Sequence, residues 1–217
     1  MSSRVSVVPD ATVARLPLYH QALVELGRSG ETTVSSERLA ELAGVNAAKV
    51  RKDLSSLGSY GTRGVGYDIE FLTLQVGRTL GLTGESSAVI VGFGNLGQAL
   101  SKYSGFADRG FPVVAVVDVD RTKLGKRVND LVVRHLDELP ELVAELDISV
   151  GVIATPQDAA QLAADALVAA GVQSILSFAP SILEIPESVP WRKVDLATEL
   201  QILSYYQARV SHTEHPT

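Results

Sequence analysis

Cysteine is absent from the chain of 217 residues. Its absence excludes disulfide frameworks, thiolate nucleophiles and cysteine metal sites. It also excludes redox sensing by thiol chemistry, so any redox signal has to enter through a bound ligand. No run of about 18 apolar residues occurs, and no membrane-spanning helix is expected. The N-terminus has no apolar h-region, so no secretory signal is expected and the expected location is the cytoplasm. Histidine is scarce and scattered, at His20, His135, His212 and His215. No metal site is expected from it, and the tail pair reads as solvent-exposed. An excess of positive charge is lacking too. The net charge is −6, which at first sight argues against a nucleic-acid partner.

What is present alters that last exclusion. The composition is globular, with 46% hydrophobic and 20% charged residues. Residues 1–84 hold nine Arg/Lys and eight Asp/Glu, a net of +1, while the remainder carries −7. The acid therefore sits in one half. A small basic cluster sits in the other: Lys49, Arg51, Lys52 and Arg63, with Asp53 as the one acid among them.

In the first region, Arg15 to Arg28 is expected to be a helix with Leu16, Tyr19, Leu23 and Leu26 on one face. Gly27 and Gly30 are expected to break it. Ser35 or Ser36 is a suitable N-cap for a short helix carrying Leu39 and Leu42. Gly44 supplies a turn, Val45 points inward, and Asn46 caps a second helix, Ala47 to Leu57, that buries Val50, Leu54 and Leu57. This is helix, tight turn, helix, at helix-turn-helix length. The exposed face of the second helix offers Lys49, Arg51, Lys52 and Ser55. The next ten residues, Gly58 to Tyr67, contain four glycines with Tyr60, Tyr67 and Arg63, a poor core and a good hairpin. It reads as the wing of a winged helix, able to bring Tyr60 and Arg63 to a DNA backbone or minor groove. An ordinary small helical domain with solvated basic residues remains the alternative. Phe71 to Leu80 is expected to be a further helix with Phe71, Leu74 and Leu80 inward, and a short linker follows near Leu82–Ser86.

The second region opens with an apolar strand, Ala88 to Val91, leading into Gly92-Phe93-Gly94-Asn95-Leu96-Gly97 and a helix, Asn95 to Tyr103. This is G-x-G-x-x-G in the context that dinucleotide binding requires. Gly92 permits the tight turn, Gly94 lets the backbone approach a pyrophosphate, and Gly97 permits close helix–strand packing. The helix N-terminus offers unpaired N–H groups. A second strand, Val113 to Val117, ends at Asp118, whose carboxylate can accept from ribose hydroxyls and would repel a 2′-phosphate. Arg121 nearby could instead accommodate that phosphate. Further strands are expected at Ile148–Ala154 and Gln173–Ser177, with weaker ones at Leu131–Val133 and Arg192–Val194, and Pro156 opens a helix from Gln157 to Ala170. The alternation argues for a Rossmann-like, doubly wound parallel sheet. Its loops place Thr155, Pro156, Phe178 and Tyr103 beside the expected crevice. The last element, Leu196 to Val210, has apolar Leu196, Leu200, Leu203, Tyr206 and Val210, which pack on its own sheet or on a partner subunit.

A hydride-transfer enzyme needs an acid/base group and a substrate anchor beyond its cofactor. The loops Ala154-Thr155-Pro156 and Ser177-Phe178-Ala179-Pro180 carry neither charge nor histidine, and no separate catalytic domain fits the remaining length. The chain is therefore read as a non-enzyme.

The chain resembles the Rex family of bacterial redox-sensing repressors. The resemblance rests on residues 12–19, Val50-Arg51-Lys52-Asp53-Leu54, residues 58–67, the glycine loop, Tyr103-Ser104-Gly105-Phe106, Phe178-Ala179-Pro180 and Val194-Asp195-Leu196. It implies an α/β homodimer in which each chain has a winged-helix DNA-binding domain (residues 1–84), a dinucleotide domain (85–195), a swapped C-terminal helix (196–211) and a disordered tail (212–217). It implies binding to a palindromic double-stranded operator, release by NADH, and weaker competition by NAD⁺. It implies no membrane and no metal. It also implies a switch at Arg15, Tyr103 and Asp195, with Asp195 bonding Tyr103 in one state and Arg15 in the other. Two places depart from the family pattern. Ser56-Leu57 stands where Tyr-Phe is usual, and Ser177 where Asn is usual. An interaction protein that binds a dinucleotide without DNA, or a small oxidoreductase, are the other classes open to the sequence.

Overall fold

The computed structural model describes residues 8–58, 60–62, 64–84 and 86–213, with side chains as far as Arg209. The chain divides into two compact units, Met1–Gly84 and Glu85–Thr217.

The first unit begins with α1 (Asp10–Val13) and α2 (Leu16–Arg28). Leu16, Tyr19, Leu23 and Leu26 form the buried face of α2, as their spacing predicts. Gly27 lies inside this helix rather than breaking it, and the turn comes at Gly30, where φ is 86°. Strand β1 (Thr33–Val34) follows, then α3 (Ser36–Ala43), whose N-cap is Ser35: its side chain accepts from the Arg38 N–H. Leu42 is exposed, because α3 buries Leu39, Ala40 and Ala43 instead. Asn46 caps α4 (Ala47–Leu57), accepting from the Lys49 N–H. Strands β2 (Gly61–Thr62) and β3 (Gly66–Asp68) form a hairpin, and β3 also pairs with β1 to complete a three-stranded antiparallel sheet. This is a winged helix. The unit closes with α5 (Ile69–Thr79), which starts at the Asp68 cap and buries Ile69, Leu72 and Val76. The expectation that Phe71 and Leu74 face inward is corrected: both are exposed. The i, i+3, i+7 stripe of Ile69, Leu72 and Val76 takes the buried side, where α5 packs on α2. The core joins α2, α3, α4 and α5 through Leu23, Leu39, Val50, Leu54 and Leu72.

The second unit comprises β4 (Ser87–Val91), α6 (Asn95–Ser101), α7 (Ser104–Ala107), β5 (Val113–Asp118), β6 (Arg127–Val128), β7 (Leu131–His135), α8 (Leu139–Glu145), β8 (Ile148–Ile153), α9 (Ala160–Ala170), β9 (Ser174–Ser177), β10 (Trp191–Lys193) and α10 (Leu196–Thr213). Its seven strands run in the order β10-β9-β8-β4-β5-β7-β6, parallel throughout except for β6. Strand alternation sends Val89, Val91 and Val117 to one face and Ile90, Val116 and Val152 to the other, so each face carries its own core. The chain leaves β4 first toward β5 and returns past it to β8. The gap between the C-terminal ends of β4 and β8 is thus the topological switch point, where doubly wound sheets take ligands. A short 3-10 turn at Gln157–Ala159 precedes α9. The last helix reaches Thr213, so His212 and Thr213, expected in the tail, are helical. The rest of that tail lies outside the described residues.

Candidate functional site

On the winged helix, Lys49, Arg51, Lys52 and Ser55 all lie on the exposed side of α4. At about 100° per residue around the helix axis, each is turned away from the buried stripe of Val50 and Leu54, which puts them on the outward face. Arg51 is not free. Its Nη1 donates to Ser36 Oγ and to Glu37 Oε1, each at 2.8 Å. The Ser55 hydroxyl donates back to the Lys52 carbonyl. Tyr60, expected at the DNA, is half-buried: its hydroxyl donates to the Leu57 carbonyl at 2.6 Å and its ring meets Phe71 edge-on. It works as the anchor of the wing. Arg63 falls outside the described residues. At the departure Ser56-Leu57, the Ser56 hydroxyl donates to the Asp53 carbonyl and Leu57 packs on the core.

Asp53 is the residue that sequence reasoning passed over. Its carboxylate is 2% exposed and accepts from Arg15 Nε at 2.7 Å, Arg15 Nη2 at 2.8 Å, Tyr19 Oη at 2.8 Å and Thr12 Oγ1 at 2.9 Å. The Arg15 hydrogen bonds hold the carboxyl below its ordinary range against the opposing effect of burial, and Tyr19 and Thr12 add to them. Burial, and the bond to Asp53, push the Tyr19 phenol up to about 12. The signal was in the spacing: Thr12, Arg15 and Tyr19 recur at i, i+3, i+7, and Asp53 falls between Val50 and Leu57 on the buried stripe of α4. Arg15, expected at an interdomain switch, is thus committed to a carboxylate of its own unit.

In the second unit, the loops after β4, β8 and β9 lie side by side. The Ala154 N–H donates to the Val91 carbonyl and the Phe178 N–H to the Ile153 carbonyl. Gly92 has φ 104°, and a Cβ there would stand 2.8 Å from the Ala154 carbonyl oxygen and 2.9 Å from Thr155 Cγ2. A Cβ on Gly97 would collide with the Gly92 carbonyl oxygen. Gly94 has nothing within 4 Å of the equivalent point. The first and third glycines are therefore required by the fold, and the second faces open space where a phosphate could approach. Asn95 and Leu96 are exposed at the start of α6, whose N-cap is Gly94. Thr155 Oγ1 is buried without a hydrogen-bond partner at the same crevice, an orphaned group of the kind that a ligand satisfies. Pro156 is exposed at the mouth of the next loop, and Phe178 is half-buried. These residues fit a bound dinucleotide.

Four expected site residues are placed differently. The Phe93 ring is buried in the core, and only its backbone belongs to the loop. Asp118 is 5% exposed. Its Oδ2 accepts from the Phe93 N–H at 2.6 Å and Lys123 Nζ at 2.9 Å, and its Oδ1 from the Asp120 N–H at 2.8 Å. Burial pushes this carboxyl up, but the Asp120 and Phe93 N–H groups and the Lys123 ammonium together hold it below its usual value. Asp118 thus fixes the glycine loop from behind. Tyr103 is 51% exposed and packs edge-on against Phe106. Asp195 accepts from the N–H groups of Ala197 and Thr198 at the start of α10 and pairs with Lys193. Ser177, the other departure, is fully buried, and its Oγ accepts from the Ala179 N–H. It shapes the Phe178-Ala179-Pro180 loop from within. Among the described residues no group of three His, Cys, Asp or Glu is placed to hold a metal, and no helix is long and apolar enough to cross a membrane.

A winged helix joined to a doubly wound sheet with a glycine loop at its switch point defines a regulator of transcription with a dinucleotide fold. Residues 7–55 match the family model described as "Putative DNA-binding protein N-terminus", and residues 83–181 match that of a CoA binding domain. The chain is 56% identical over 213 residues to the redox-sensing transcriptional repressor Rex of Streptomyces coelicolor, covering 98% of this chain and 83% of the relative. It is 46% identical over 198 residues to the Rex protein of Carboxydothermus hydrogenoformans, covering 91% and 95%. Among solved structures it is similar to RSP in complex with β-NAD⁺ and operator DNA, with TM-score 0.87, 34% identity and 96% of each chain covered. RSP in complex with β-NADH matches with TM-score 0.84 and 33% identity, covering 96% of this chain and 98% of that one. The chain belongs to the Rex family of redox-sensing transcriptional repressors. Its reading as a regulator rather than an enzyme follows from that membership.

Proposed function

We propose that this chain is a repressor that holds a two-fold operator through its winged helix and lets go when NADH fills the crevice of its second unit. The observation that carries this reading is the crevice itself: open space at Gly94 and an orphaned Thr155 hydroxyl, on a chain that also carries a basic recognition helix. Gly92 to Gly97, Thr155, Pro156 and Phe178 would hold the dinucleotide, and the N-terminus of α6 would face its phosphates. NADH reports the reduction state of the nicotinamide pool when bound, and no reaction is asked of it. RSP has been solved with β-NAD⁺ on operator DNA and with β-NADH, which supports this sign of the response.

The homodimer is part of the proposal. Leu196, Leu200, Leu203 and Tyr206 lie exposed along α10, and an isolated helix with such a stripe gains its stability by packing. Exchange of α10 between protomers supplies that packing. Arg15, Tyr103 and Asp195 stay the proposed coupling residues, with the added condition that Arg15 must leave Asp53 for the switch to turn. Asp118 is proposed to favour NADH over NADPH by its charge, in addition to holding the loop. The test uses a duplex that the protein itself selects from a randomised library. NADH should release it at lower concentration than NAD⁺, and NADPH should be weaker than NADH. Asp195→Ala should keep DNA binding but shrink the NADH effect, normally about 5- to 150-fold for coupled sites. Release that is the same with all three nucleotides would overturn the reading.

A further inference from the structure

The sequence places Arg51 on the recognition helix, and the structure adds what holds it. Its Nη1 is gripped from α3 by Ser36 Oγ and Glu37 Oε1, both at 2.8 Å, and Ser36 Oγ in turn donates to Glu37 Oε2 at 3.2 Å. Ser36 is buried, whereas Glu37 and Arg51 are more than half exposed. Among the described residues, Nε and Nη2 of Arg51 have no hydrogen-bond partner. This cluster lines a cavity of about 450 Å³ with Thr62, Val65 and Tyr67 of the wing.

An exposed ion pair of this kind contributes little to stability. Its carboxylate is also misplaced for binding DNA, since it stands on the face that must meet phosphates and repels them. Geometry gives it a use. A guanidinium reads guanine by two parallel N–H donors on one edge, to O6 and N7. Holding Nη1 from behind leaves Nε and Nη2, a ready-made parallel pair, on the outer edge. It also removes in advance the rotamer freedom that a long side chain otherwise loses on binding. We propose that Glu37, braced by Ser36, is a specificity-determining positioning residue that presents the Nε/Nη2 edge of Arg51 to a guanine. The same carboxylate disfavours contacts in which Arg51 merely neutralises a phosphate. The inference rests on the proposed function, with α4 as the recognition helix lying in the major groove of the operator.

The test is the sequence profile that the full-length protein selects from a randomised duplex library, compared for wild type, Glu37→Ala, Glu37→Gln and Arg51→Ala. Affinities for the wild-type-selected duplex and for a shuffled duplex of equal length are measured by fluorescence anisotropy. Glu37→Ala should bind the shuffled duplex more tightly. It should also lose about tenfold in the ratio of selected to shuffled affinity, with preference weakened at one G·C pair in each half-site. Glu37→Gln, which keeps an acceptor for Nη1, should recover part of that preference. A merely structural role would lower both affinities together and leave the profile unchanged. If Arg51→Ala erases the G·C preference while both Glu37 variants keep the full profile and ratio, the positioning role is overturned and Arg51 as reader stands. If Arg51→Ala also leaves the profile intact, the reading of Arg51 falls and the inference with it.

Discussion

Asp53 sits on the helix proposed to read DNA, yet it points away from DNA into the unit. Four donors from Thr12, Arg15 and Tyr19 converge on it. It is the polar tie that fixes α4 against α1 and α2, and so fixes which face of α4 is presented. Asp53→Ala leaves Arg15 and the buried Tyr19 hydroxyl without their acceptor, and should cost about 2–4 kcal/mol in denaturant unfolding. The pH dependence has two signs. The Asp53 carboxyl is held below its ordinary range in the folded state. Its contribution is complete above the unfolded value, about 4, and is lost as pH falls through the lower folded value. Tyr19 is pushed up to about 12, so the folded state keeps its proton longer than the unfolded state does. Its contribution is complete below about 10 and declines as pH rises from there toward 12. Urea titrations from pH 2 to 12 should show both declines in the wild type. In Asp53→Ala the acid decline should shrink, and an unchanged acid limb would contradict the assignment.

At the scale of elements, the glycine loop separates what the fold needs from what a ligand needs. Gly97→Ala drives a methyl into the Gly92 carbonyl and should destabilise the second unit by about 1–3 kcal/mol or more. Gly94→Val meets open space and should cost only about 1 kcal/mol, the penalty of a poorer N-cap for α6. The same variant should weaken NADH binding by at least about tenfold, roughly 1.4 kcal/mol, by filling the approach to the pyrophosphate. Calorimetric NADH titration beside a thermal melt checks both halves. This loop was legible because its residue types answer to backbone geometry alone, as were strands β4, β5, β7, β8 and β9 and the paired helices α3 and α4, whereas the two-residue β6 was too short to leave a pattern. The phase of α5 was not legible, because apolar residues occupy both of its faces and only packing against α2 selects one. Nor was the inward turn of Asp118, since a strand-end carboxylate can face ligand or loop equally well until the Phe93 N–H and Lys123 are placed. Asp53 was missed for a related reason: a charge beside a basic cluster reads as surface unless its three partners on α1 and α2 are brought to it.

For the whole molecule, α10 bears on assembly. Leu200 is 65% and Leu203 61% exposed in the single chain. The double variant Leu200→Asp, Leu203→Asp should therefore leave each unit folded by circular dichroism and convert a dimer to a monomer in sedimentation equilibrium at micromolar concentration. A wild-type chain that sediments as a monomer would show that α10 is not exchanged between protomers. Loss of the dimer should also abolish tight binding to a two-fold site, because each half-site would then be held by one winged helix alone. Dinucleotide and DNA should compete through one conformational equilibrium, and linkage makes that competition measurable from either side. The most direct measurement is the affinity of the wild-type dimer for NADH, at fixed ionic strength, with and without a saturating amount of its selected operator duplex. The duplex should weaken NADH binding by the same factor, at least about fivefold, by which NADH weakens binding of the duplex. An NADH affinity unchanged by the duplex would contradict it.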